Sequence, residues 1–135
     1  MPRLYREAPV NSLWEGSGNV NALDVLRAMR REPETVTAFI AEVEEARGSD
    51  ARLDRSVVEL KKELSNGAGV EAGARRLVER LAITLQGSLL VRYGDPAVAD
   101  AFCASRLGGD WGHSFGTLPQ GLELASIVQR HRPPG

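Results

Sequence analysis

A chain of 135 residues with 42% hydrophobic and 26% charged side chains and a net charge of −1 reads as one globular domain, residues 1–135. That balance excludes gross disorder and a strongly basic nucleic-acid binder, and the single cysteine, Cys103, excludes an internal disulfide framework. With only His113 and His131 beside that cysteine no zinc spacing can be written, so no metal site is expected.

The opening Met1-Pro2-Arg3-Leu4-Tyr5-Arg6 is too charged for a secretory leader. The best apolar stretch, Leu81 to Val91, is interrupted by Thr84, Gln86, Gly87 and Ser88 and is too short to span a bilayer. A cytoplasmic protein with no membrane partner is the expectation. Residues 1–16 read as a lead-in segment. Its apolar Leu4, Val10 and Leu13 are expected to lie exposed, which favours self-association.

Helical punctuation follows almost throughout. Ser17-Gly18-Asn19 precedes Val20, Leu23, Leu26 and Met29, with Ala22 and Val25 widening the face, and predicts a mostly buried helix. It should stop near Arg31-Glu32, because Pro33 disfavours a helical residue before it and is suited to open the next helix. That second helix, about 33–47, carries Val36, Phe39, Ile40 and Val43 on one face, with Gly48 as its stop. Asp50 can cap a third helix whose Leu53, Val57, Leu60 and Leu64 repeat at the spacing of a bundle seam, ending at Asn66-Gly67.

The fourth and longest helix takes Val70, Ala74, Leu77, Val78, Leu81, Leu85 and Leu89 along one stripe up to Gly94. Asp95-Pro96 is a cap and first-turn pair for a fifth, with Val98, Ala101, Phe102 and Ser105, closed by Gly108-Gly109. Residues 108–135 read as a Gly-rich loop and a short last helix from Leu122 to His131. No stretch alternates apolar and polar residues over strand length. The predicted fold is therefore all-α, an antiparallel helical bundle of about five to six helices spanning 17–107. Fold class alone assigns no function.

The chemistry-bearing stretch is residues 3–27. Glu15 follows the aromatic Trp14 and precedes Gly16-Ser17-Gly18, which opens a helix. A carboxylate beside an apolar ring can gain proton affinity, the condition a general base near neutral pH needs. Backbone N–H groups at a helix opening can hold a phosphate or a developing enolate. A serine-capped turn with no catalytic role uses the same residues, and spacing alone does not separate the two.

The segment Arg3-Leu4-Tyr5-Arg6-Glu7-Ala8-Pro9-Val10-Asn11 … Trp14-Glu15-Gly16-Ser17-Gly18-Asn19 resembles the C-terminal helical domain of the flavin-dependent acyl-CoA dehydrogenases, in their AidB-like branch. Phe115-Gly116-Thr117-Leu118-Pro119 is similar more loosely. On that resemblance Glu15 is the base that removes the α-proton of an acyl-CoA thioester, its backbone N–H donating to the thioester oxygen. Gly16 and Ser17 match positions beside the adenylate part of FAD. Trp14 and Ser17 replace the tyrosine and threonine usual in the fatty-acyl enzymes. The resemblance also implies N-terminal and middle domains that are not in this sequence, so the chain by itself is expected neither to hold FAD nor to turn over. It further implies a homo-oligomer meeting through the bundle helices.

Two arginine questions stay open. Asn19, Leu23 and Arg27 share a helix face leading back to Glu15, so Arg27 joins Trp14 as a candidate lining of the substrate pocket; it can equally pair with Asp24. The middle segment, 51–93, is the only positive one, with 8 basic and 5 acidic residues. Arg52, Arg55, Arg75 and Arg76 are the candidate contacts to duplex DNA, an association the resemblance also implies. Glu59 and Glu63, at i+4 positions, favour an ordinary solvated face instead.

Overall fold

The structure, a computed structural model, describes residues 2–14, 18–66, 72–110 and 116–132. These residues form helices α1 (Pro2–Trp14), α2 (Gly18–Arg31), α3 (Glu34–Glu44), α4 (Ala51–Asn66), α5 (Ala74–Tyr93), α6 (Pro96–Phe102) and α7 (Leu124–Arg130). A π-turn, Cys103–Leu107, continues α6. No strand occurs among them, so the predicted all-α class holds. None of the helices is long and apolar enough to cross a membrane.

The caps follow from the residues predicted to make them. Asp50 Oδ1 accepts from the backbone N–H of Arg52 at 2.8 Å and of Leu53 at 3.2 Å, fixing the first turn of α4. Asp95 does the same for α6, accepting from Ala97 N at 2.9 Å, with Pro96 in the first turn. Gly48 ends the turn after α3 at a φ of 81°, a left-handed conformation that glycine adopts without a steric penalty.

Bundle packing runs through α2, α3, α4 and α5. One cluster joins buried Ala22 and Leu26 of α2 to Leu60 of α4 and Ala74 and Leu77 of α5. A second joins Val43 and Ala46 to Leu53 and Val57. The α4 seam of Leu53, Val57 and Leu60 is buried as its spacing predicts, with Leu64 half-buried. Cross-helix partners show that α4 and α5 run antiparallel: Leu53 approaches Gly87, the Ser56 hydroxyl meets Thr84 at 2.9 Å, and Glu63 meets Arg80.

Two local expectations are corrected, for α2 and for α5. Within the lead-in segment, residues 2–14 form helix α1, which contains Pro9 and is braced by an Arg3–Glu7 pair at 2.8 Å. An internal proline removes one N–H from the helix ladder. Every side chain from Pro2 to Val10 is exposed, as expected for Leu4 and Val10.

Next, α2 is not mostly buried. Ala22 and Leu26 face inward, whereas Val20 is 52% and Leu23 38% exposed. The inward face of α5 is also rotated from the apolar stripe. Thr84, Gly87 and Ser88 are buried while Leu89 is exposed.

The small polar residues that interrupt the Leu81–Val91 stretch are thus the close-packing centre. A β-carbon at Gly87 would stand 2.9 Å from Leu107 Cδ1 and 3.5 Å from Leu53 Cδ1. Burial of the hydroxyls is compensated, since Thr84 bonds Ser56 and Ser88 donates to the Val43 carbonyl at 3.3 Å.

Cys103 is fully buried at the start of the π-turn, consistent with a packing thiol. Burial first, then the nearby Asp50 carboxylate, pushes its thiol up to about 11. Trp111, His113 and Ser114 lie outside the described residues.

Candidate functional site

Two places bear on function. The first is the junction between α1, ending at Trp14, and α2, opening at Gly18. Glu15, Gly16 and Ser17 lie between those helices and outside the described residues, as does the side chain of Trp14. The opening of α2 is described. From α5 the Arg75 guanidinium reaches it, with Nη2 3.7 Å from where a β-carbon on Gly18 would stand. A cation beside a helix N-terminus makes that opening more attractive to an anion, because guanidinium and unsatisfied amides add in the same sense. Sequence reasoning placed Arg75 with the duplex-DNA contacts. Only the crossing of α5 over the start of α2 reveals this second position.

Arg27 lies farther along α2 and forms an ion pair with Asp24, with 61% of its side chain exposed. Of the two arrangements its spacing allows, the described structure adopts this one.

The second place is a recess of about 360 Å³ walled by α4, α5 and the π-turn. Arg52, Arg55, Arg76, Arg80 and Arg106 line it, with one carboxylate, Glu59. Ser56, Ile83, Leu107 and Gly108 complete the wall. Three of the four arginines singled out from the sequence therefore meet in one hollow, and Arg80 and Arg106 join them. Arg106 lies on a different element from the others and far along the chain, so no helix-face argument could have found it.

Carboxylates sort these arginines. Arg52 donates through Nη2 to Asp50 at 2.6 Å and to Asp100 at 2.7 Å. Its pKa is raised by these hydrogen bonds, and the bond from Arg52 in turn holds the Asp50 carboxyl below its ordinary value. Arg80 forks between Glu63 at 2.7 Å and Glu59 at 2.8 Å. Glu59 and Glu63, expected to balance the basic residues along α4, thus turn to α5 instead. Arg55 and Arg76 are exposed, and no carboxylate partners them among the described residues.

A testable consequence concerns Asp50. Replacing it by alanine removes the α4 cap and one of two carboxylates on Arg52, and should cost about 1–2 kcal/mol in urea unfolding at pH 7. Because the folded carboxyl is depressed, its contribution is present above the ordinary value of 3.8 and is lost as pH falls through the lower folded value. The difference between wild type and Asp50→Ala should therefore shrink on acidification. A pH-independent gap would show that the charge on Asp50 is irrelevant.

Comparison with known proteins gives the lineage. Over 103 residues, 76% of the chain, it is 38% identical to a protein of Escherichia coli (strain K12) described as an acyl-CoA dehydrogenase, AidB, and spans 19% of that protein. Over 98 residues, 73% of the chain, it is 31% identical to acyl-CoA dehydrogenase family member 11 of Caenorhabditis elegans, spanning 14% of it. No family model and no solved structure matches. The chain spans a fifth or less of the length of the curated relatives it matches. With these two relatives and no strand among its described residues, the chain belongs with the C-terminal region of the acyl-CoA dehydrogenase family, in its AidB-like branch.

Proposed function

We propose that this chain is the C-terminal bundle of an FAD-dependent acyl-CoA dehydrogenase and supplies its catalytic-base segment. The observation that carries the reading is that Glu15-Gly16-Ser17 stands in sequence directly before the opening of α2, in a chain 38% identical to AidB. In this reading Glu15 accepts the α-proton of a bound acyl thioester, and its backbone N–H donates to the thioester oxygen as charge develops there.

Residues at the α2 opening suit an anionic group such as the phosphates of FAD: Gly18 is exposed and Arg75 adds a cation. Gly16 and Ser17 would hold the adenylate side. The flavin, when bound, supplies the hydride acceptor. Turnover requires domains beyond this chain. Exposed Leu4, Tyr5 and Val10 on α1 support a face that those domains or a second copy covers in a homo-oligomer. The direct test is α-proton exchange in the complete enzyme, with Glu15 against Glu15→Gln; equal exchange would place the base elsewhere.

A second reading, association with duplex DNA, is favoured by Arg55, Arg75 and Arg76, which lie exposed on α4 and α5. Binding of this kind should weaken steeply with salt. Arg75→Glu with Arg76→Glu should flatten the log–log salt slope by about 1 for each phosphate that is no longer neutralised. Salt-independent or absent duplex binding would remove this reading.

A further inference from the structure

We infer that the arginine-lined recess between α4, α5 and the π-turn is a binding site for a small phosphorylated molecule, gripped through a phosphoryl or diphosphoryl group by Arg55 and Arg76. The inference goes beyond both functional readings above and uses none of the residues of the Glu15 segment.

Charge placement is the first argument. Five guanidinium groups and one carboxylate line the hollow. Four carboxylates are engaged by two of those arginines, Asp50 and Asp100 by Arg52, and Glu59 and Glu63 by Arg80. These pairs hold Arg52 and Arg80 in place as walls and lower their net field. Arg55 and Arg76, from facing helices, bring two further positive charges to the same space with no carboxylate partner among the described residues. Like charges placed together without a counter-ion repel, and an anion between them relieves that repulsion. A guanidinium presents paired N–H donors that match phosphate oxygens two at a time, so phosphate suits this lining better than a monodentate anion does.

Shape is the second argument. About 360 Å³ lies at the small end of ligand pockets, which run from roughly 300 to 1,000 Å³. A recess of that volume admits a phosphoryl or diphosphoryl group with a small organic appendage. A duplex presents its phosphates in a row along a convex backbone, and is read by cations spread along a surface rather than gathered in a hollow. Arg75 is turned away to the opening of α2, which further shortens any such row.

The π-turn is the third. Because Cys103–Leu107 winds more widely than an α-helix, it ends with Arg106, Leu107 and Gly108 against α4 and α5 and closes the recess. Turns of this type are frequent at functional sites.

Isothermal titration of the full chain with inorganic pyrophosphate at low ionic strength tests the inference. Saturable binding to one site is expected. Arg55→Glu with Arg76→Glu should weaken it by about tenfold or more, since two charge-assisted hydrogen bonds give way to repulsion. Arg55→Lys should retain part of it. Lys62→Glu, a charge reversal on the same helix outside the recess, should leave it unchanged. Both arginines are exposed, and circular dichroism checks that the variants fold. Parallel titrations with inorganic phosphate and ADP tell whether the second phosphoryl group or an organic appendage adds affinity. Absence of saturable pyrophosphate binding overturns the proposal, as does binding undiminished in the double variant. Duplex binding that pyrophosphate neither matches nor displaces overturns it too, and leaves the DNA reading standing. Pyrophosphate binding without duplex binding removes the DNA reading alone.

Discussion

In a complete enzyme carrying this chain as its C-terminal part, Glu15→Gln should lower α-proton exchange of a bound acyl thioester by about 10²–10⁴-fold, the range a positioned general base supplies. Glutamine keeps the size and hydrogen-bonding reach of glutamate but takes up no proton at neutral pH, so the substitution removes the base and little else. The flavin spectrum should remain, because the groups proposed to hold FAD are Gly16, Ser17 and the opening of α2, not the Glu15 carboxylate. Glu15→Asp sharpens the test. The carboxylate survives but is withdrawn by one methylene, and a base that must reach one carbon should lose part of its rate and regain none of it by raising pH. Loss of flavin together with exchange would mean that Glu15 shapes the segment rather than takes the proton.

Leu60→Ala carries the largest expected effect on stability, a loss of about 2–5 kcal/mol measured by the urea midpoint at unchanged slope. Leu60 is 0% exposed and shares one buried cluster with Ala22 and Leu26 of α2 and Ala74 and Leu77 of α5. Two of those four cluster members are buried alanines on helix backbones. They have no side chain long enough to collapse into the space left behind, so the cavity term adds to the forfeited transfer energy. Against the roughly 5–15 kcal/mol that holds a typical domain together, such a loss brings the chain near unfolding at ordinary temperatures. Leu60→Met, which conserves volume, should cost less than about 1.5 kcal/mol. A small effect for alanine would mean that α2 moves in to fill the gap and that the α2–α4–α5 junction is looser than its burial implies.

The helices after residue 17, the caps and the all-α class were legible from local chemistry, whereas α1 was not. Asp50 and Asp95 act within three residues of themselves, Gly48 needs only its own φ, and the α4 seam repeats at a spacing that any bundle buries. Family membership was legible too, since it rests on the order of residues in the Arg3–Asn19 segment and not on their placement. Three features required the packed chain. One was which face of α5 turns inward, because close approach of Leu53 and Leu107 selects Gly87, Thr84 and Ser88 over the larger Leu89. Another was the sorting of arginines, since helix spacing sets Glu59 one turn from Arg55 whereas the crossing of α4 and α5 gives both Glu59 and Glu63 to Arg80. The last was the basic recess itself, assembled from α4, α5 and a π-turn whose residues are remote in sequence. A sequence specifies contacts within a turn or two because the helix fixes those distances; which groups meet across helices depends on how side chains of unequal size interlock, and that is decided only when the bundle closes.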